Sequence, residues 1–454
     1  MISNPELRRN LWLELTPHRL VSAPIILILL FSLLISLRTD YWHYPVALTA
    51  VAIFFVVTLI WGGRQTHDSI VDEVRDHTWD TQRMSAISPW TMTSGKLMGS
   101  TLFNWYVGAM SLAIFAFTYD STTAVRFNHW TNFSLCMVLV FEALWVQAAG
   151  LLSGLITARA GRNIKPVHSL PVTVLGAIVF VSMGREMLAP AAETVRWFGL
   201  LWDRNEFLLA SLVVFTGWTW LGAYRLMSEM LAVRIIPWVA LSFVVLLTLY
   251  FGGFFFASEW EGSWTFPAIG TAMGVAASYV MAWKERRDWI AVSRFIRTWK
   301  DEHGRHALEA TPAWIPVAFF AFACAIATAV LLPALPAPPV MRGAPWNWIF
   351  AAPITFVVLM FRDIGLLYFF SLGQRPERAN STALVYLALL YGVLPALLNL
   401  ADLGFLAYPL LIPQGLGPFW LAPLIASVHL TTVIVLIMQR LSGYRSVAGQ
   451  GDSG

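Results

Sequence analysis

The chain of 454 residues is 57% hydrophobic and only 12% charged, where an average soluble domain has about 25% charged residues. With a mean hydropathy of +0.64 it has too little polar surface to face water on every side, which excludes a soluble globular domain and makes lipid the consistent solvent. The net charge of +4, from 30 Lys and Arg against 26 Asp and Glu, is dispersed between apolar runs, so no basic stripe is offered to nucleic acid.

Cys136 and Cys324 lie inside apolar runs with no CxxC or Cys/His cluster, a pattern that predicts neither a disulfide framework nor a zinc site. Residues 1–20 read as an amphipathic interfacial helix with Leu7, Leu11 and Leu15 on one face and Arg8, Arg9, Glu14 and Arg19 among the polar positions. A charged start of this kind does not resemble a cleavable signal peptide.

Twelve apolar runs follow, each long enough, or nearly so, to cross about 30 Å of hydrocarbon at about 1.5 Å per residue. They cover 21–38, 45–61, 98–117, 133–157, 169–189, 206–224, 236–256, 265–283, 313–333, 347–361, 383–401 and 418–438. Gly184, Arg185 and Glu186 interrupt the fifth. Many of the 22 Trp and 12 Tyr fall near the ends of these runs, where amphipathic rings suit the headgroup layer.

Cations set the expected orientation. With the N-terminus in the cytoplasm, the inner loops hold Arg64, Arg75, Arg83 and Lys96, then Arg159, Arg162 and Lys165, then Arg225 and Arg234. Next come Lys284, Arg286, Arg287, Arg294, Arg297, Lys300 and Arg305, then Arg362, Arg375 and Arg378, and in the tail Arg440 and Arg445. Opposite loops hold the sparser set Arg38, Arg126, Arg185, Arg196, Arg204 and Arg342, so the bias predicts N-in, C-in. An offset of about 215 residues lays every span of the first half on or over a span of the second, and halves of six helices each insert in parallel. Leu11, Glu14 and Arg19 then meet Leu226, Glu229 and Arg234.

The expected fold is thus an all-α polytopic membrane bundle of about 12 helices in a 6+6 parallel repeat. The first unit covers 21–232, the second 233–441 with an amphipathic cytoplasmic loop at 284–312, and 442–454 form a disordered cytoplasmic tail. In the second loop Trp289, Val292, Phe295, Ile296 and Trp299 make an apolar stripe.

The most informative segment is loop 62–97. Ile70, Val74, His77, Thr81 and Met84 recur at helical spacing, with Asp72, Glu73, Arg75, Asp76 and Asp80 on other faces. This predicts one amphipathic helix over about 68–88, capped by Asp68 or Ser69 and stopped near Pro89. It would either offer a side to a partner or tuck under the bundle. Within the spans, Glu142, Gln147, Asn104 and His429 are the costly polar positions. Asn104 and Gln147 read as packing hydrogen bonds. Glu142 stands between that role and a polar cavity, where it would contact a cationic group of a substrate or take a proton. Arg362, Asp363, Tyr368, Arg375 and Arg378 read as a cytoplasmic loop that is either a second contact for a partner or, the preferred reading, a positively charged anchor of topology.

Loop 62–97 resembles the first cytoplasmic loop of type-2 ATP-binding-cassette (ABC) exporter permeases. Those loops carry an acidic segment, Gly-Thr, a short apolar helix, a Pro and then Gly-Lys at the third span. This chain has Glu73, Asp80-Thr81, Pro89 and Gly95-Lys96-Leu97, with Asp80 in place of the glycine, and the loop of the second half lacks the Pro and Gly-Lys pattern. The resemblance implies an ATPase-coupling helix formed by Ile70, Glu73, Val74, Arg75, Asp76, Thr81 and Met84, with Pro89, Gly95 and Lys96 as the loop motif.

The resemblance further implies a permease of the plasma (inner) membrane that moves an unidentified substrate and performs no catalysis itself. ATP and magnesium would bind a separate ABC ATPase subunit in two copies; this chain has no GxxxxGK[ST] loop. Lipids and a second permease chain or accessory subunit complete the implied partners. Two other classes stay open: an ion-coupled secondary transporter of 6+6 type, and a polytopic lipid-modifying enzyme or scaffold. The short connection near 225–235 and the long loop after the second span fit the secondary transporter poorly.

Overall fold

The computed structural model describes residues 4–37, 43–85, 87–118, 132–159, 194–233, 238–256, 264–285, 287, 289–301, 304–331, 347–373, 378–403 and 420–451. The expected fifth span at 169–189 lies outside them. Among the described residues the chain is helical apart from one hairpin, and ten helices are long and apolar enough to cross a membrane. The pair Pro89–Gly99 and Leu102–Thr118, bent by 49°, makes an eleventh if it counts as one span. The chain is therefore a multi-pass membrane protein built as an all-α bundle. Contacts divide it into two compact units, 1–195 with 201–235, and 196–200 with 236–454.

In the first unit, α1 (Pro5–Glu14) starts at Asn4, whose side chain accepts from the backbone N–H of Glu6 at 3.0 Å and of Leu7 at 3.2 Å. Pro5 at the first helical position loses no hydrogen bond there. α2 (Pro17–Leu37) and α3 (His43–Phe54) follow, and α3 continues through a π-helical segment, Phe55–Trp61, into α4 (Gly62–Arg75). These pieces form one uninterrupted helix, and the expected break near residue 61 is not there. α5 (Trp79–Arg83), α6 (Pro89–Gly99), α7 (Leu102–Thr118), α8 (Asn132–Arg159) and α9 (Arg204–Met230) complete the unit.

α4 ends at a tight turn. His77 adopts φ 59°, and Thr78 N–H donates to Glu73 O at 3.0 Å, the six-to-one bond that closes a helix through a left-handed residue. The expected single helix over 68–88 is therefore two, because the last turn of α4 is capped at Asp76 and His77 before α5 begins.

Glycines bring α8 against α4. A Cβ on Gly150 would stand 2.2 Å from Gly63 O, and one on Gly154 would stand 2.5 Å from His67 O. Only small residues allow backbones to approach this closely in a membrane bundle.

The two strands β1 (Thr194–Trp197) and β2 (Leu200–Asp203) form a hairpin whose central residues Phe198 and Gly199 both have positive φ, the two-residue turn that matches strand twist. The second unit comprises α10 (Trp238–Phe255), α11 (Thr265–Lys284), α12 (Trp289–Asp301), α13 (Arg305–Ala310), α14 (Trp314–Leu331) and α15 (Asn347–Ser371). It ends with α16 (Ala379–Ala388), a second π-helical segment Leu389–Val393, α17 (Leu394–Leu400) and α18 (Leu421–Gly451). A core of small residues, Ala282, Ala318, Ala321 and Ala325, packs with Val357 and Met360 where α11, α14 and α15 meet.

Two expectations are corrected here. The tenth span does not stop at 361: α15 runs to Ser371, so Arg362 and Asp363 sit inside a helix rather than in a charged loop. The tail expected to be disordered from 442 begins as helix, since α18 extends to Gly451. The stretch at 284–312 forms two helices, α12 and α13; on α12 Arg294, Arg297 and Lys300 are exposed and Val292, Phe295 and Ile296 half-buried, but Trp299 of the expected apolar stripe is exposed.

Candidate functional site

The sequence places its candidate coupling residues in one stretch; the fold sorts them into an anchor and an outer corner. The anchor is an ion cluster where α1, α4 and α6 meet. Lys96 of α6 is 1% exposed. Its Nζ donates to Glu6 Oε1 at 3.2 Å and to Glu73 Oε2. Arg9 adds a second cation, with Nη1 at 3.2 Å from Glu73 Oε1 and 3.3 Å from Glu6 Oε1. Gln82, from α5, donates to Glu73 Oε1 at 2.6 Å.

The loop motif makes room for this cluster. Pro89 opens α6 behind the cap Ser88, whose Oγ accepts from Thr91 N–H at 3.2 Å. A Cβ at Gly95 would meet Glu6 Cβ at 2.6 Å, and one at Gly99 would meet Asn10 Cβ at 2.8 Å. Asn4 ties the start of α1 to α6 by donating to Thr91 O at 2.9 Å. The pair Gly95-Lys96 thus has two jobs: the glycine admits α1, and the lysine neutralises two carboxylates from separate elements.

Of the remaining candidates, Ile70 is fully buried in the core beneath α4, with Met92, Leu151 and Met227, and Val74 is half-buried against it. Glu73 faces the anchor and not the outside. The outer corner consists of Arg75, Asp76, Asp80, Thr81, Arg83 and Met84, all exposed, Met84 at 79%. Arg75 is paired with Asp72 at 2.9 Å. This corner is a mixed-charge surface of about ten residues with one protruding thioether, held from below by Trp79 and Glu73.

Among the polar span positions, Gln147 and Asn104 serve one local need. A π-helical turn displaces carbonyls from their usual partners. Asn104 Nδ2 donates to Val57 O at 2.8 Å and Gln147 Nε2 to Thr58 O at 2.9 Å. Gln147 Oε1 then accepts from Trp105 Nε1 at 2.9 Å. Both residues are packing devices that fasten the π-helical segment. Glu142 is different: it is 6% exposed, and its Oε2 finds no partner among the described residues. His429 is half-buried on α18.

Sequence reasoning missed Glu6 and Arg9 as members of the anchor, because their partners Glu73 and Lys96 lie far along the chain, and Gln82, because the turn after α4 is what brings it back to Glu73. It also missed a buried group in the second unit formed by Tyr279, Arg362, Asp363 and Tyr391. The signal for that group is present: the adjacent pair Arg362-Asp363 is flanked on both sides by long apolar stretches. Comparison with known proteins returns no family model, no curated protein and no solved structure that matches this chain.

Proposed function

We propose that the chain is the transmembrane permease of an ABC export system, driven by ATP hydrolysis on a separate ATPase subunit that docks on the corner around α5. The observation that carries this reading is the pairing of an exposed corner with a buried anchor. Arg75 to Met84 present charge and an apolar tip to solvent, and Glu73, just beneath, is tied by Lys96 and Arg9 to two other helices. A docking surface has to resist force to transmit it, and a salt-bridged anchor across three elements supplies that stiffness. Continuity of α4 with the span before it gives the corner a direct mechanical route into the bundle.

The N-in, C-in orientation and the 6+6 plan belong to the same proposal. At an offset of about 215 residues α8 falls on α15 and α9 on α18, and Gln147 coincides with Arg362, as parallel repeats would have it. The plasma membrane, two ATPase copies and an unidentified substrate remain parts of the proposal, with no cofactor assigned to this chain. The second reading, an ion-coupled transporter, draws on Glu142 alone, whose buried and unpartnered Oε2 suits a proton or a cation.

The test is co-purification with an ABC ATPase, using Arg75→Glu, Asp80→Arg and Arg83→Glu in combination. Exposed substitutions of this kind leave stability within about 0.5 kcal/mol. The expected result is lost association and lost substrate-stimulated ATP hydrolysis at an unchanged unfolding temperature. Full transport after residues 76–87 are replaced by a Gly-Ser spacer would end the coupling role, and normal transport by Glu142→Gln would remove the second reading.

A further inference from the structure

An apolar groove of about 440 Å³ lies along the exposed side of α9 in the first unit. Gly217 forms its floor: a Cβ there would meet nothing within 4 Å. Val213, Val214 and Leu221 rise around it on α9, and Trp90, from the start of α6, closes the remaining wall. Trp90 is held in place. Its ring stacks on Trp220, which also lines the groove, at 5.7 Å between centroids and 7° between planes, and it meets the edge of Tyr224 at 5.6 Å. The groove is therefore formed before anything enters it, which lowers the cost of binding.

Polarity changes in steps along this side of the helix. Val213 to Leu221 is about 12 Å of aliphatic and aromatic lining. Trp90, Trp220 and Tyr224 gather at one end of it. Arg225 follows Leu221 by about one helical turn and continues the same edge, about 40° around the helix from Leu221 and about 20° from Trp218, another lining residue. Arg225 Nη2 lies 3.2 Å from Glu229 Oε1, and Arg159 Nη1, at the end of α8, lies 2.7 Å from Glu229 Oε2. Two guanidiniums thus share one carboxylate, and this ion cluster keeps one positive charge in excess. Neither arginine is fully buried, their side chains being 19% and 37% exposed. Hydrocarbon, then an aromatic belt, then cations is the order met in one leaflet on passing from acyl chains to headgroups.

An acyl chain gains little by leaving other chains for a protein wall, because both surroundings are equally apolar. Selection has to come from the head. A zwitterionic head brings a cation of its own to the two arginines, whereas an anionic head brings only phosphate oxygens, for which a guanidinium is the matched donor. We propose that the groove of α9 seats one anionic phospholipid, with an acyl chain over Gly217 and the phosphate at Arg225 and Arg159. Seating of the lipid does not require an ATPase, so it stands or falls separately from the export reading.

The experiment uses the full chain in nanodiscs of phosphatidylcholine that contain a minor fraction of phosphatidylglycerol with a diazirine on its acyl chain. A second arm carries the diazirine on phosphatidylcholine. Mass spectrometry of the irradiated and digested protein reads adducts on residues 213–221 and on Trp90. One excess cation at a membrane surface favours an anionic lipid by about fivefold, so the wild type is expected to take about five times more label there from phosphatidylglycerol. Arg225→Gln combined with Arg159→Gln should bring the two arms level, and Gly217→Phe, which fills the floor, should remove the excess as well. Equal labelling of the wild type by both lipids would overturn the site, as would an excess that persists in either variant. Absence of label in both arms, with two chains joined through Gly217→Cys by a bifunctional maleimide, would put a second copy on this face and overturn the lipid. If the variants do not fold, the wild type decides. Unlabelled phosphatidylglycerol must displace the label more effectively than unlabelled phosphatidylcholine, and equal displacement overturns the proposal.

Discussion

Lys96→Met tests the anchor most directly. The substitution keeps the length of the side chain and removes the charge that lies 3.2 Å from Glu6 and in contact with Glu73. Glu6 is 3% exposed and the Glu73 side chain 12%, so neither carboxylate can recover much hydration where it stands. Removing one partner of a buried ion pair costs about 3–5 kcal/mol. Arg9 still reaches both carboxylates, but its side chain is 46% exposed and water weakens its pull, which places the expected loss near the lower limit, at about 3 kcal/mol.

That loss should concentrate on α1, the element held to α6 by this contact. Amide hydrogen exchange over residues 5–14 is the assay. An opening made easier by about 3 kcal/mol lowers protection by about 100-fold. The combination Glu6→Gln, Glu73→Gln and Lys96→Met leaves Arg9, half-exposed to water, as the one charge of the cluster, and should recover most of it, since no buried ion is left unpaired. Protection of α1 within threefold of wild type in Lys96→Met would refute the anchor.

Two further outcomes follow from packing. Gly150→Ala places a methyl group 2.2 Å from a backbone oxygen of α4 and should cost about 1–3 kcal/mol through forced helix separation; Gly217→Ala, with nothing within 4 Å, should instead gain about 0.5–1 kcal/mol of helix preference. Chemical unfolding in detergent separates the two, and a matching loss in both would show that helix contact is not the cause. Gln147→Leu removes the hydrogen bonds to Trp105 Nε1 and Thr58 O and should cost about 1–3 kcal/mol, read as faster exchange at residues 55–61, whereas unchanged exchange there would show that Gln147 does not fasten the π-helical segment.

The membrane class and most helices were legible because an apolar run of membrane length has few other uses. Loop 62–97 was legible only in part. Ile70 and Val74 recur at helical spacing on a helix, but the same period continues past His77, and nothing in a count of apolar positions reveals a left-handed turn at a residue other than glycine. The apolar period puts Glu73 on an outward face for a related reason: its cationic partners Arg9 and Lys96 come from other elements, and a period read within one segment is blind to them. Arg362 and Asp363 were assigned to a loop because a charged pair ordinarily ends a span. Tyr279 and Tyr391, whose hydroxyls make that pair tolerable inside a helix, lie more than 25 residues away on either side. The π-helical segments have no sequence period of their own, so Asn104 and Gln147 could be recognised as packing groups while the distortion they fasten could not.

Continuity from Pro45 to Arg75 sets a scale for motion. Its 31 residues amount to about 46 Å of helix, some 15 Å longer than the hydrocarbon is thick. A shaft of that length is a lever: a tilt of about 10° at its far end swings Arg75 sideways by about 8 Å. Small rotations deep in the first unit would therefore appear enlarged at the corner, and a pair of spin labels on Arg75 and a distant helix would read them as a change in distance well above the width of the label itself.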